Sequence, residues 1–496
     1  MRAIHLILIT SVTYAACVPR QAARPAPIPA RGGTLRIHLE GDWPSDLRSP
    51  THDLGRFVSA ATGLGLVTTD PSGAIAAGVA TDWGPSEVAG TDPEWWFDLE
   101  GGAPAGGRGV TPWDVVESLT MAVAVESSPG PWLLAPVRGA RSFARGELGD
   151  IEGLVPGSGT VRVKLTRETP DLALRLAHPA LRVWTAGRGA EPAGPGPFEI
   201  AAERRLVAWV HGGARPYLDR IDLIDSGGVA PAVLARLGEI EAAVVYGRSV
   251  SRFLDAEEGP SPAFRVERLA GWDRTYVLWL APGMRWTQDP GFGRWLDATL
   301  DRVAMLRYLF DGRGDAPCDL LSRCGESATR GDAVTTWRVP RGARPRIALA
   351  LDASDRLGGE MAARIKADVE SAGVGVDIEP WPGDDLDRGI RGGEIQAALF
   401  YRTPWTSDPV LSLLGTLHAS PRGLEAELAE LDRAARLPLG SDERRSAAEE
   451  VHGRVLSRAR IVPVVRLDAW IASAPGLVLA PGASPSLDVA RAGWSP

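Results

Sequence analysis

Several residue types are scarce in this sequence, and their scarcity limits the functions that it can have. There is no asparagine, and lysine occurs only at Lys164 and Lys366, so almost every basic side chain is an arginine. This bias is typical of a GC-rich genome and carries no functional information. The net charge is -8, and no basic run is interleaved with aromatic residues, which argues against a nucleic-acid-binding protein.

The motifs of common enzyme classes are also missing. The chain has no Gly-x-Ser-x-Gly, no His-Glu-x-x-His and no Walker lysine. Asp225-Ser226-Gly227-Gly228 has the letters of a protease nucleophile motif, but it follows an apolar run, so a tight turn is predicted. The seven histidines are scattered, and His418 is interpreted as a surface histidine rather than a ligand contact or metal ligand. We therefore expect no enzyme, no metal and no cofactor.

One apolar segment occurs at the N-terminus, and it is too short to span a bilayer. Arg2, the apolar residues 4–12 and Tyr14-Ala15-Ala16-Cys17 together resemble a bacterial lipoprotein signal. Residues 1–17 are predicted to be this signal, and lipidation of Cys17 is favoured over an ordinary secretory peptide. Residues 18–32 are predicted to be a proline-rich tether. The folded part is therefore expected in the periplasm or cell envelope, anchored to a membrane by lipid.

The other two cysteines, Cys318 and Cys324, are six positions apart and would close a small loop. In an exported protein the leading interpretation of such a pair is a disulfide. A metal-binding pair is the alternative, and it ranks lower because no histidine or further cysteine lies nearby.

Hydrophobic periodicity gives the clearest prediction of fold class in the second half of the chain. Residues 346–351 form an apolar run that is typical of a strand buried on both faces. Residues 355–372 carry an apolar side chain at every fourth position, which indicates a helix, and residues 374–378 form a second strand. A strand, a helix and a strand in this order predict a parallel crossover and an α/β protein.

A helix over residues 385–392 and a strand over residues 394–401 follow in the same region. Open α/β sheets bind ligands beyond the carboxyl ends of their strands, so the next loop is the predicted ligand site. Aromatic side chains beside an arginine suit an amphipathic or anionic ligand. Arg402 could instead be a solvated charge, and Trp43 and Trp405 could simply pack loops. The predicted ligand contacts are Trp43, Tyr401, Arg402, Trp405 and Asp408.

Short motifs occur in a characteristic order along the whole chain. The clearest are Asp82-Trp83, Trp96-Phe97-Asp98-Leu99 and Thr111 to Val115, and Gly32-Gly33-Thr34-Leu35 and Gly194 to Ile200 belong to the same order. Thr111 followed by Pro112 and Asp114 also predicts the start of a helix. No single motif is specific, but their order covers nearly all of residues 32–490 and resembles the extracellular solute-binding proteins of family 5, the bacterial peptide, nickel and opine receptors of ABC importers.

The resemblance implies a two-lobed periplasmic-binding-protein fold of class II with an extra small domain. The first lobe would comprise residues 33–60, 186–268 and 468–496, and the small domain residues 61–185. The second lobe would comprise residues 269–467. The two strands that cross between the lobes would act as hinges while the lobes close over a ligand.

The resemblance also implies a function. In the family's peptide receptors an aspartate in the predicted ligand loop pairs with the amino group of the peptide, because a buried ammonium needs a charged partner. Trp405 stands at that position here, when Asp408-Pro409 is aligned with the family's Asp-Pro. The expected function is capture of a peptide-like or other small solute and its delivery to ABC permease subunits by a monomeric lipoprotein. The alternative is an envelope lipoprotein of the same fold that acts as a chaperone or sensor subunit without transport.

Overall fold

The structure is a computed structural model, and it describes most of the chain. Cys17, Cys318 and Cys324 lie outside the described residues, as do the whole predicted signal and most of the predicted tether. The described residues are 29–44, 47, 52–70, 72–86, 92–99, 109–125, 128–185, 194–209, 216–254, 264–269, 271–283, 286, 289–316, 320, 337–339, 345–419, 423–458, 460–481 and 487–494.

The strands among these residues are short and are distributed over the whole chain. In chain order they are β1 (Thr34–His38), β2 (Leu64–Gly65), β3 (Val67–Thr69), β4 (Ile75–Ala77), β5 (Asp82–Pro85), β6 (Glu94–Asp98), β7 (Leu154–Pro156), β8 (Thr160–Lys164), β9 (Arg182–Val183), β10 (Phe198–Ala202), β11 (Arg205–Ala208), β12 (Arg220–Leu223), β13 (Ala242–Tyr246), β14 (Arg265–Arg268), β15 (Arg274–Leu280), β16 (Arg346–Asp352), β17 (Gly375–Trp381), β18 (Ala397–Arg402), β19 (Ile461–Leu467), β20 (Ala469–Ser473), β21 (Leu477–Pro481) and β22 (Leu487–Trp494).

The helices alternate with these strands, and a 3-10 turn occupies Pro179–Leu181. The helices are α1 (Asp53–Thr62), α2 (Pro112–Ala124), α3 (Gly130–Leu133), α4 (Ala140–Ala144), α5 (Leu172–Leu176), α6 (Pro231–Arg236), α7 (Arg248–Leu254), α8 (Pro290–Thr299), α9 (Arg302–Phe310), α10 (Arg356–Ser371), α11 (Gly383–Gly392), α12 (Pro409–His418), α13 (Glu425–Ala434) and α14 (Asp442–Ser457).

The first lobe is built on a seven-stranded mixed sheet. Its strand order is β10-β11-β12-β1-β13-β20-β14, and β1 runs parallel to both of its neighbours. Leu35 and Ile37 of β1 are fully buried in the main core, together with Phe57 and Val58 of α1. The sheet and α1 therefore form one packed layer pair.

The second lobe contains the predicted crossover. Its sheet has the order β17-β16-β18-β15-β19, and β16 is parallel to β17 and to β18. Asp355 caps α10 by accepting a hydrogen bond from the amide of Gly358 at 2.9 Å. Pro380 is tolerated in β17 because that strand lies at the edge of the sheet. The α/β prediction for this region is confirmed.

The small domain carries a four-stranded antiparallel sheet, β5-β6-β8-β7, which packs against α2. The predicted start of α2 is confirmed, since Thr111 and Asp114 form a reciprocal capping box and Pro112 is the first helical residue. The core of this domain continues into one face of the second-lobe sheet, where Val277 and Ala398 belong to the same buried cluster as Phe97. The small domain is therefore anchored on the second lobe.

Two chain crossings join the lobes, one from β14 to β15 and the other from β19 to β20. They are hydrogen-bonded to each other, because the amide of Leu269 donates to the carbonyl of Ala469 at 2.9 Å. Asp273 lies between them and accepts hydrogen bonds from Arg268 at 3.0 Å and from Arg466 at 3.4 Å. Paired strands of this kind permit a hinge motion while they hold the lobes in register.

Candidate functional site

A cavity of about 190 Å³ lies where the two lobes and the small domain meet. Arg56 of α1 contributes from the first lobe, and the segments around Trp132 and His178 contribute from the small domain. The second lobe contributes the residues from Tyr401 to Trp405 that end β18 and follow it. Since one water molecule needs roughly 15 Å³, the cavity has room for a small organic solute.

Four rings form one side of the cavity, and we call them the aromatic wall: Trp132, His178, Trp405 and His418. Trp132 stacks on His418 with ring centroids 5.4 Å apart and an interplanar angle of 6°. His178 meets Trp405 edge to face, with centroids 4.6 Å apart. Each contact joins a small-domain ring to a second-lobe ring, so the wall also holds these two parts together.

Both histidines of the aromatic wall are neutral at pH 7. Burial, together with the charges of Arg56 and Arg182, lowers the pKa of His178 to about 3. Burial likewise lowers the pKa of His418 to about 4. Nδ1 of His178 accepts a hydrogen bond from the amide of Ala180 at 3.0 Å, which leaves the proton of the neutral ring on Nε2.

The loop after β18 brings several hydrogen-bonding atoms to the cavity without giving them a partner. Within the described part of the chain, Nε of Arg402, Oγ1 of Thr403 and Nε1 of Trp405 are buried and make no hydrogen bond. All three residues line the cavity, and Trp405 is only 9% exposed. Burying a polar group without a hydrogen bond destabilises the folded chain by about 1–3 kcal/mol.

The charges around the cavity are mostly positive. Four arginines line it together with a single carboxylate, Asp387, among the lining residues that the structure describes. Asp387 lies 3.8 Å from Nη2 of Arg402, and burial lowers the pKa of that guanidinium. An arginine nevertheless remains charged at neutral pH. The positive lining residues are Arg56, Arg391, Arg402 and Arg466.

A buried ion pair beside the cavity connects the lobes. Arg274 of β15 binds Asp53 of α1 at 2.5 Å and Glu40 at 2.6 Å. Its guanidinium also lies between the rings of Tyr246 and Tyr401, at 4.0 and 4.4 Å from their centroids. Tyr401 lines the cavity as well, so the cavity and the lobe junction share a side chain.

This junction continues to α10 through Tyr276, whose hydroxyl donates to Asp355 at 3.0 Å. Burial raises the pKa of Asp355 to about 6, while the charge of Arg274 and the hydrogen bonds that Asp355 accepts act against the rise. The cap of α10 therefore titrates in a range where most carboxylates are already ionised.

Solved structures with this arrangement of sheets span almost the whole chain. The Escherichia coli murein tripeptide binding protein MppA superposes with a TM-score of 0.76 at 17% identity, covering 95% of this chain and 100% of that one. DppA from Helicobacter pylori, solved with the peptide STSA, gives 0.74 at 15% identity and covers 94% and 99%. NikA from Staphylococcus aureus, solved with Ni(L-His)2, gives 0.70 at 13% identity and covers 94% and 100%.

The chain has the fold of the periplasmic solute-binding proteins. The two-lobed architecture that the resemblance to family 5 predicted is confirmed. No family model matches the sequence, and no curated protein is similar to it by sequence. MppA in its unliganded open form superposes less well than the other MppA structure, with a TM-score of 0.62. The lobes of this chain are therefore arranged more like those of the other MppA structure than like those of the open form.

The structure brings three of the predicted contacts together and places two elsewhere. Tyr401, Arg402 and Trp405 all line the cavity. Trp43 is half-buried and packs against the main core instead. Asp408 is 8% exposed and caps α12 by accepting a hydrogen bond from the amide of Leu411 at 2.9 Å. Ligand contacts by Trp43 and Asp408 stay predictions that no described contact supports.

Asp408 instead belongs to a buried cluster between the small domain and the second lobe. Arg444 of α14 binds both oxygens of Asp408, at 2.7 and 2.9 Å, and Asp171 at 2.8 Å. Asp171 in turn accepts a hydrogen bond from Arg175 at 2.9 Å. The sequence favours a solvated helix face at Arg444-Arg445, and this is wrong for Arg444, whose side chain is 1% exposed.

Several cavity residues have no local signal in the sequence. Arg56, Trp132, His178 and Arg391 come from four separate segments and meet only in the folded chain. His418 was expected at the surface, and that expectation is wrong because its ring is stacked in the aromatic wall. In the part of the chain that is described, no cluster of three or more metal-binding side chains occurs. No helix there has both the length and the apolar character needed to span a bilayer.

Proposed function

We propose that this protein is the substrate-binding component of an ABC importer, not an enzyme. It captures a small solute between its lobes outside the cytoplasmic membrane and delivers the solute to permease subunits. The observation that carries the proposal is the cavity between the lobes, whose buried donors have no partner among the described residues. MppA and DppA support it, since both are described as binding proteins.

Ligand binding would act on the lobes through the geometry of the cavity. Arg56 belongs to the first lobe, whereas Arg402 and Trp405 belong to the second. A solute that contacts both sides at once binds the closed form more tightly than the open one. Binding therefore shifts the equilibrium towards closure by the difference between those two affinities. The crossings at Leu269 and Ala469 would absorb the rotation.

The cellular location forms part of the same proposal. The protein acts as a monomer in the periplasm, tied to a membrane by a lipid on Cys17 through the tether of residues 18–32. Cys318 and Cys324 form a disulfide in that oxidising compartment. Replacing Cys17 with serine should move the protein from the membrane fraction to the soluble fraction of the envelope. Retention of Cys17→Ser in the membrane fraction would contradict the lipid anchor.

Thermal unfolding against a chemical panel tests the function. The panel contains peptides, opines, sugars, organic acids and nickel chelates. A ligand at a hundred times its dissociation constant stabilises the folded state by about 2.7 kcal/mol. Stabilisation by one chemical class, accompanied by a smaller radius of gyration, would support solute capture. No stabilisation by any class would favour the chaperone or sensor alternative.

A further inference from the structure

We infer that the solute is an anion: an oxyanion, such as a carboxylate, binds the loop from Arg402 to Trp405, and a flat apolar part lies against the aromatic wall. This inference rests on the proposed function and names the substrate class for the same cavity. It separates this protein from receptors that hold an ammonium group with a carboxylate.

The unsatisfied atoms of the loop define what the ligand must supply. Nε of Arg402 and Nε1 of Trp405 can only donate hydrogen bonds, and Oγ1 of Thr403 can donate one. All three residues line one cavity, and the side chain of Arg402 is 30% exposed, so a group with several acceptor oxygens can reach its guanidinium there. A carboxylate, sulfonate or phosphate has this property, whereas an ammonium has only donors.

The balance of charge leads to the same chemical class. Arg402 is weakly paired, since the nearest carboxylate oxygen of Asp387 lies 3.8 Å away. That distance is too long for a hydrogen bond. Asp387 is also the single carboxylate among the described lining residues, and it lies next to Arg402, whereas Arg56 and Arg466 have carboxylates outside the lining, Asp53 and Asp273. An incoming ammonium would therefore have to share Asp387 with Arg402, which is unfavourable in a partly buried site.

The aromatic wall determines the shape of the rest of the ligand. Trp132 and His418 stack almost in parallel, and His178 and Trp405 meet at 73°. Both histidines are neutral at pH 7 because burial lowers the pKa of each. The wall therefore offers an uncharged apolar surface next to the charged loop. A ring or a conjugated chain that carries an oxyanion matches both surfaces.

A matched series of probes separates the charge of the head group from the shape of the ring. Indole-3-acetate, indole-3-acetamide and tryptamine share one ring system and differ in head group, and Ala-Phe adds a zwitterionic peptide. Benzoate, benzamide and phenylphosphonate then distinguish a carboxylate from a phosphoryl oxyanion. Calorimetric titration of the full chain should show the anions binding at least about tenfold more tightly than the matched amides. Tryptamine and Ala-Phe should bind more weakly than indole-3-acetate.

Two variants assign that difference to the loop. Arg402→Gln should weaken binding of the tightest anion at least about tenfold and weaken binding of its amide much less, because a neutral acceptor forms a weaker hydrogen bond to a guanidinium. The matched control is Arg388→Gln on α11, because Arg388 is 61% exposed and pairs with Asp385 at 2.7 Å. This control should bind every probe as the parent does. Trp405→Phe retains a ring in the wall but removes one donor, so it should weaken the anion more than the amide.

The outcomes distinguish this inference from the proposed function. Tighter binding of tryptamine or Ala-Phe than of indole-3-acetate would overturn the anion inference and leave solute capture intact. Equal loss of anion and amide affinity in Arg402→Gln would overturn the role given to the loop. If no probe of any charge binds at millimolar concentration, and the broader panel also gives no stabilisation, both proposals fail.

Discussion

Two arginines near the same loop have opposite surroundings, although both are partly or fully buried. Arg444 contacts two carboxylates and also donates to the carbonyls of Ala435 and Leu437 at 2.9 and 3.0 Å. Arg402 has one carboxylate at 3.8 Å and a buried Nε without a partner in the described chain. The sequence distance between Arg402 and Asp408, the main partner of Arg444, is only six residues.

The difference shows how one loop can be structural at one end and available for binding at the other. The end at Asp408 is held by a charge that the chain itself supplies, so it fixes the small domain on the second lobe. The end from Arg402 to Trp405 keeps buried donors that have no partner among the described residues. A buried arginine is evidence for a binding site only when its partners inside the chain are incomplete.

The largest expected effect comes from Arg444. Arg444→Met leaves Asp408 and Asp171 buried with too few partners, so the free energy of unfolding should fall by about 3–5 kcal/mol. Chemical denaturation measures this loss. The matched control is Arg445→Met, because Arg445 is the next residue and its side chain is 59% exposed. It should change stability by less than about 0.5 kcal/mol. Equal effects of the two variants would show that Arg444 stabilises the fold no more than the exposed Arg445 does.

The second-largest expected effect is a loss of folding stability in acid, caused by His178 of the aromatic wall. The pKa of His178 is about 3 in the folded chain and 6.5 by default, so the unfolded chain binds more protons below pH 6.5. Stability should therefore fall as the pH drops from 6.5 towards 3, by about 2 kcal/mol between pH 6.5 and 4.5. His418 acts in the same direction, because its folded pKa is about 4.

The variant His178→Asn isolates this contribution, since an asparagine oxygen can still accept from the amide of Ala180. Thermal or chemical unfolding should show a shallower pH dependence for His178→Asn than for the parent between pH 6.5 and 4.5. Parallel curves would mean that His178 is not held neutral by the wall.

Asp355 should produce a pH dependence of the opposite sign. Its folded pKa is about 6 and its default value 3.8, so the folded chain holds the proton more firmly. Stability should fall as the pH rises from about 4 to about 6, on the order of 2 kcal/mol. Asp355→Asn should lose this slope while it still caps α10. If the free energy of unfolding has the same pH slope in both proteins, the pKa of Asp355 is not raised in the folded chain.

The smallest expected effect on stability is that of Arg402→Gln, in contrast to Arg444→Met. The guanidinium of Arg402 has one distant carboxylate partner, so its removal should change the free energy of unfolding by less than about 1 kcal/mol. Denaturation without ligand measures this. A loss of several kcal/mol would show that Arg402 is a structural residue like Arg444.

Local pattern was sufficient where neighbours in the sequence are also neighbours in the structure. The repeat of apolar residues predicted α10, and Thr111-Pro112 predicted the start of α2. Helix α11 begins at Gly383, two residues before the predicted start at Asp385, because helix ends are set by few interactions. Three of the five strands of the second-lobe sheet, β16, β17 and β18, could therefore be predicted from residues 346–401.

The site could be predicted only on its second-lobe side. Tyr401, Arg402 and Trp405 were predicted because ligands lie beyond the carboxyl ends of strands, and all three line the cavity. Arg56 and His178 belong to the first lobe and the small domain, and no spacing in the sequence relates them to that loop. The burial of Arg444 depends on Asp171, which is 273 positions away along the chain. A charge cannot be classified as solvated or buried before such partners are known.

A crystal structure with the tightest-binding probe shows directly which chemical group the cavity holds. We expect an oxyanion within hydrogen-bond distance, about 3 Å, of the guanidinium of Arg402, with the ring of the probe against Trp132 and His418. An ammonium group at that position, or a ligand bound outside the cavity, would contradict this expectation.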